Sequence, residues 1–201
     1  MKVLKRIACL FLALSMAMGL TACAPRTFDH AVINELCSKW DFTEAEYPND
    51  YLEEYADVLN GIGKSKGVYI HCTGSEAQNI YDWHFNSHDY YEDYEIEEIS
   101  TFFYLDSEGF DECFVFTFKD PKEAEEMYYE YSEQDVRDGK EGKGLGYTYF
   151  ISSVPRRRDL ELLFGIYLRD NTVLVVIGET SDSEKIDIIC KSYRVISPTH
   201  V

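Results

Sequence analysis

Residues 96–131, "IEEISTFFYLDSEGFDECFVFTFKDPKEAEEMYYEY", limit the possible folds more than any other stretch. Two runs rich in aromatic and β-branched residues flank a polar turn at Asp106–Asp111, which reads as a β-hairpin. Asp120 then caps a helix, Pro121 takes its first position and Glu123 completes a capping box. Ala124, Met127, Tyr128 and Tyr131 fall on one helical face. The same grammar returns later. "LELLFGIYL" and "TVLVVIGE" flank Asp170-Asn171, Ser181 and Glu184 form a second capping box, and Ile186, Ile189, Cys190 and Tyr193 repeat the stripe 62 residues on. These units predict an α+β fold: an antiparallel sheet with helices packed on one face, with two hairpin–helix, ferredoxin-like repeats as its specific form. Two simple units that resemble each other by chance are the alternative. "VLVVI" is continuous rather than alternating, as in a central strand buried on both sides.

The remaining elements are shorter. "DHAVINELCSKW" spaces Val32, Ile33, Leu36, Cys37 and Trp40 as an amphipathic helix. Pro48 and Asp50 start a second helix, which Gly61 ends. "GVYIHC" is a short strand, and Ser75 with Gln78 forms a capping box for a third helix. "RDGKEGKGLG" (137–146) reads as a flexible loop and "YTYFISSV" (147–154) as an additional strand.

The chain opens differently. Lys2, Lys5 and Arg6 precede an uncharged run, Ile7 to Leu20, of 14 residues. That is too short for a membrane-spanning helix, which needs roughly 20, and it has the form of a secretory signal. Leu20-Thr21-Ala22-Cys23 closes the run. This tetrad resembles the bacterial lipobox, in which an aliphatic residue and two small residues precede a cysteine. The resemblance covers residues 1–23. It implies a diacylglyceryl group on the Cys23 thiol and cleavage between Ala22 and Cys23. It therefore divides the chain into a lipoprotein signal peptide (1–22), a lipidated tether (23–27) and a single α+β domain (28–201). Its implied address is the extracytoplasmic face of the cell membrane, with the lipid on Cys23 as the membrane contact. Two acyl chains hold a protein that one holds only marginally, at about 0.8 kcal/mol per buried methylene.

Charge narrows the partners. The formal net charge is −18, and loss of Lys2, Lys5 and Arg6 with the signal would make it −21. Such a domain repels nucleic acid and anionic lipid and suits cationic partners or metal ions. "PRRRD" (155–159) is the exception. Arg156, Arg157 and Arg158 could contact anionic headgroups or wall polymers through their guanidinium forks. With Arg26 they are the parts an anionic bilayer would repel least; a solvated loop is the plainer reading.

Cys37, Cys72, Cys113 and Cys190 lack any C-x-x-C spacing, so neither a zinc ribbon nor a thioredoxin motif is supported. They could form two disulfides in an oxidising compartment, or stay as buried thiols, since each sits where an apolar residue would be expected. His84 and His88, four apart in "HFNSH", would share a helical face and could hold a transition metal. Exposed histidines at a fraying helix end are the alternative, and Phe85 stands where a metalloprotease needs glutamate. The acidic stretches 89–98 and 106–112 could attract calcium but lack the EF-hand spacing. Tyr81, Tyr90, Tyr91, Tyr94, Tyr128 and Tyr129 could form a stacking platform. No nucleotide-binding loop, nucleophile elbow or other cofactor motif is present. The expectation is a lipid-anchored binding or interaction protein of the bacterial envelope, contacting an envelope protein or wall polymer and no nucleic acid. An envelope enzyme without a linear motif and a metal-binding lipoprotein using His84 and His88 are the alternatives.

Overall fold

The computed structural model describes residues 26–60, 67–85, 94–105, 109–134, 139–157, 160–180 and 183–201. In chain order the elements are α1 (Ala31–Lys39), β1 (Thr43–Glu44), α2 (Pro48–Leu59), β2 (Val68–Thr73), α3 (Ser75–His84), β3 (Ile96–Leu105) and β4 (Phe110–Phe118). Then follow α4 (Pro121–Gln134), β5 (Lys140–Gly144), β6 (Tyr147–Arg157), β7 (Leu160–Arg169), β8 (Thr172–Glu179), α5 (Ser183–Tyr193) and a 3-10 turn at Pro198–His200. The strands make one sheet in the order β1-β2-β3-β4-β8-β7-β6-β5. Only the two-residue β1 runs parallel to its neighbour; every other pair is antiparallel. Among the described residues no helix is long and apolar enough to cross a membrane.

The α+β class is as the sequence implies, but the helices cover both faces of the sheet, not one. Along β4, Phe114, Phe116 and Phe118 pack on one face against residues of α2, α3 and α4. Cys113 and Val115 pack on the other, against α1 and α5. On β8, Val173 and Val175 join the first core, and Leu174 and Val176 the second. Strands apolar on both sides need cover on both sides, so the continuous runs dictate a three-layer arrangement.

Both hairpin–helix units form, yet they are not a ferredoxin-like repeat. β4 and β8 are antiparallel neighbours. A two-fold axis relating such a pair stands perpendicular to the sheet and would leave the following helices on one face. Instead α4 lies on one face and α5 on the other. Nor do β2 and β3, joined through α3, run parallel as a βαβ crossover requires.

Two local expectations also change. Residues 140–144 are a strand, not loop. A β-carbon at Gly142 would collide with the ring of Tyr149, and one at Gly144 with that of Tyr147. The cross-strand tyrosines therefore cover the backbone the glycines leave bare. Gly146, at φ +75°, makes the turn into β6. At α3 the cap is Gly74, with no side-chain cap bond. Gln78 instead accepts from the backbone N–H of Ile96 and donates to the carbonyl of Tyr94, tying α3 to the start of β3. Asp120 does cap α4, accepting from the Lys122 N–H, while the Glu123 carboxylate accepts from Glu95 N–H. Ser181 of the second box lies outside the described residues.

Candidate functional site

A cleft of about 620 Å³ opens where the chain enters the sheet, lined by Phe28, His30, His71, Glu98, Thr117 and Asn171 among others. Residues 28–30 are pinned there. The Phe28 N–H donates to Thr172 Oγ1 at 2.9 Å, and the Thr172 hydroxyl donates to the Arg169 carbonyl. The Arg169 guanidinium lies 4.4 Å over the Phe28 ring. The Tyr193 hydroxyl donates to the Asp29 carbonyl, and Asp29 Oδ1 accepts from the Ala31 N–H at the start of α1. These contacts fix the backbone on both sides of His30, whose side chain turns inward and is 9% exposed.

Strand alternation supplies the rest. On β2 the residues Val68, Ile70 and Cys72 face the first core, leaving Tyr69 and His71 on the α1 face. His71 pairs with Ser100, and Glu98 with Thr117. Glu98, Ser100 and Thr117 share the α1 face with the buried Phe102 and Val115, at the end of the sheet where the chain enters.

One hydroxyl joins the two imidazoles. Ser100 Oγ lies 2.9 Å from His30 Nδ1 and 2.9 Å from His71 Nδ1. His30 Nε2 lies 2.8 Å from Thr117 Oγ1 and 3.7 Å from Glu98 Oε2. His71 Nε2 lies 3.6 Å from Glu98 Oε1. With both rings neutral, two tautomer pairs satisfy the Ser100 hydroxyl. In one, His71 turns its Nε2–H toward the carboxylate, and its Nδ1 accepts from the Ser100 hydroxyl. Ser100 accepts from His30 Nδ1–H, and His30 Nε2 accepts from the Thr117 hydroxyl. Burial, then the neighbouring His71, pulls His30 down to about 4, against a smaller upward pull from Asp29. At neutral pH His30 is thus an uncharged base. His30, His71 and Glu98 offer three ligand atoms within 4.8 Å of one another and could hold a metal ion.

The sequence alone pointed to other residues. His84 is the last residue of α3, but its side chain is buried (6% exposed) rather than fraying into solvent. It packs edge-on against Tyr55 and Phe114, with Nδ1 3.9 Å from Glu112 Oε1. His88 lies outside the described residues. Asp111 and Glu112, neighbours in the proposed calcium stretch, point to opposite faces of β4. Asp111 meets Lys185 of α5 at 3.5 Å and Glu112 meets His84, so they cannot share an ion. Residues 89–93 and 106–108 lie outside the described residues. Tyr81, Tyr94 and Tyr128 are core residues, whereas Tyr129 is exposed; Tyr90 and Tyr91 lie outside the description. Cys37, Cys72, Cys113 and Cys190 are buried free thiols.

Arg156 and Arg157 end β6; Arg158 lies outside the described residues. Arg157 pairs with Leu160, and Leu162 with Glu179. The arginine turn is therefore at the Glu179 end of β8, whereas Phe28 is bound at Thr172, the other end. The seven steps between them span about 24 Å at roughly 3.4 Å per residue. Arg26 lies at the entry end; Arg156 and Arg157, at the end of β6, do not.

The sequence missed the cleft because His30, His71 and Glu98 stand 27 or more residues apart from one another. The available signal was weak: polar His71, Ser100 and Thr117 at alternate positions of apolar strands. No protein-family model matches the chain, and no curated protein matches it. The fold and the cleft define a class: an α+β domain, helical on both faces, with two histidines and a carboxylate gathered where the chain enters its sheet.

Proposed function

We propose that this is a lipid-anchored, extracytoplasmic binding protein of the bacterial envelope, and that the cleft at His30, His71 and Glu98 is where it binds. The reading rests on one juxtaposition. Thr27 lines the cleft and follows Cys23 by four residues, at most about 14 Å of extended chain. A lipid on Cys23 would hold the mouth of the cleft near the bilayer surface, where an envelope ligand is met. The acidic domain favours cationic ligands. The arginine turn, at the far end of the sheet, suits an anionic wall polymer better than the bilayer beneath the tether.

The test is metabolic labelling of the expressed chain with an alkyne fatty acid, followed by fractionation and intact mass. The expected result is label on Cys23, loss of residues 1–22 and recovery with membranes. Cys23→Ser should abolish label and cleavage. An unlabelled chain, or one retaining residues 1–22, overturns the address. Crosslinking in native membranes then identifies what occupies the cleft, and an adduct that persists in His71→Ala would place binding elsewhere.

A further inference from the structure

We propose that His30 Nε2, His71 Nε2 and the Glu98 carboxylate bind one divalent transition-metal ion of the zinc type, leaving a coordination position open to the cleft. This deepens the binding reading by naming a ligand class, and it does not depend on the lipid.

The spacing fits. Zinc bonds to nitrogen and oxygen of about 2.0–2.1 Å put tetrahedral ligands about 3.4 Å apart. The two Nε2–carboxylate separations are 3.7 Å, to Oε2, and 3.6 Å, to Oε1, and one ligand atom from each of the three residues lies within 4.8 Å of the others, so side-chain rotations of about an ångström close them on one ion. The donor set of two imidazoles and a carboxylate is one that zinc and other first-row metals take, whereas calcium and magnesium require all-oxygen shells.

The surroundings fit as well. A ligating histidine donates its other ring N–H to a fixed partner. Here both Nδ1 atoms are 2.9 Å from the same Ser100 Oγ. A hydroxyl has two acceptor lone pairs, so Ser100 can accept from both Nδ1–H groups at once and release both Nε2 lone pairs inward. Without a metal, one of the two Nδ1 atoms can instead accept from the hydroxyl. Metal binding thus selects a tautomer pair that Ser100 is placed to support. Thr117, 2.8 Å from His30 Nε2, must turn its hydroxyl proton away. His30 is buried behind the ion, whereas His71 and Glu98 stand at the rim with side chains 34% and 32% exposed. Ions and a fourth ligand can therefore reach the site from the cleft. The ion would tie the entry segment to β2 and β3, so it should stabilise the folded state.

The experiment uses the full chain, purified in detergent and stripped with a chelator. Titration with Zn2+ or Co2+ should give one ion per chain, a raised thermal midpoint and, with Co2+, the visible bands of a low-symmetry nitrogen–oxygen site. Excess Ca2+ or Mg2+ should not compete. His71→Ala and Glu98→Gln should each weaken binding by more than about 100-fold, and Ser100→Ala by about 10–100-fold, the usual cost of losing a ligand's supporting partner. Both rim variants should melt like the parent without metal, so loss of binding cannot be misfolding. His84→Gln should bind normally. Absence of stoichiometric binding, or binding retained in both rim variants, overturns the site; the second result would mean ions scattered over the acidic surface. Either failure leaves the labelling result at Cys23 untouched.

Discussion

Glu112 is a carboxyl group enclosed by aromatic side chains of α2 and α3. Burial pushes it up to about 8, with a smaller downward pull from the Tyr55 hydroxyl, and burial pulls His84 down to about 3. Both are uncharged at neutral pH, and their contact is not an ion pair. In the unfolded chain the carboxyl ionises near 4.5 and the imidazole near 6.5. Between pH 4.5 and 8 the folded state keeps a proton that the unfolded chain has released, so Glu112 makes stability fall as pH rises. Between pH 6.5 and 3 the unfolded chain binds the histidine proton first, so His84 makes stability fall as pH drops. Glu112→Gln removes the alkaline limb. Denaturant melts should show a gain at pH 8 of a few kcal/mol that is largely absent at pH 5; equal gains at both would contradict an un-ionised Glu112. The thiols make a second case. Burial raises Cys72 and Cys190 to about 11 and Cys37 and Cys113 further. Thiol reagents should therefore leave all four untouched in native protein and modify them on unfolding, with no disulfide seen by mass.

Elements respond to neighbours that a linear pattern cannot contain. Gln78 reads as the glutamine of a capping box, a role glutamate fills equally. In the fold it must also donate to the Tyr94 carbonyl. Gln78→Glu should therefore cost about 0.5–1.5 kcal/mol, the net worth of the lost hydrogen bond, where a capping box predicts no loss. Thermal melts decide between them. In β5, valine would normally favour a strand over glycine. Gly144→Val should nonetheless destabilise by about 1–3 kcal/mol, as overpacking does, because the Tyr147 ring lies where its side chain must go. The helix stripes at Ala124, Met127 and Tyr128 and at Ile186, Ile189 and Cys190 were legible because helical spacing is local. The strand at Lys140–Gly144 was not, because its stability lies in tyrosines of the partner strand.

At the scale of the molecule, the sheet separates two features that the sequence appeared to combine. The chain enters at Phe28 beside Thr172, and the end of β6 at Arg157 lies about 24 Å away along β8. Reversing charge at Arg156, Arg157 and Arg158 to glutamate should therefore leave membrane recovery of the lipidated protein unchanged and reduce retention on an anionic polymer. Release from membranes by the triple variant would show instead that the sheet lies flat on the bilayer.

The amino-acid sequence by itself determined the hairpins, the helices, the buried strand at Val173–Ile177 and the tetrad ending at Cys23, since each is written in residues that adjoin or repeat at a fixed period. Only the tertiary structure decided that both faces of the sheet are covered, that His84 is buried, and that His30, His71, Glu98, Ser100 and Thr117 meet. Face and register arise from pairings between distant strands, and a polar residue in an apolar run does not reveal which partner it will face.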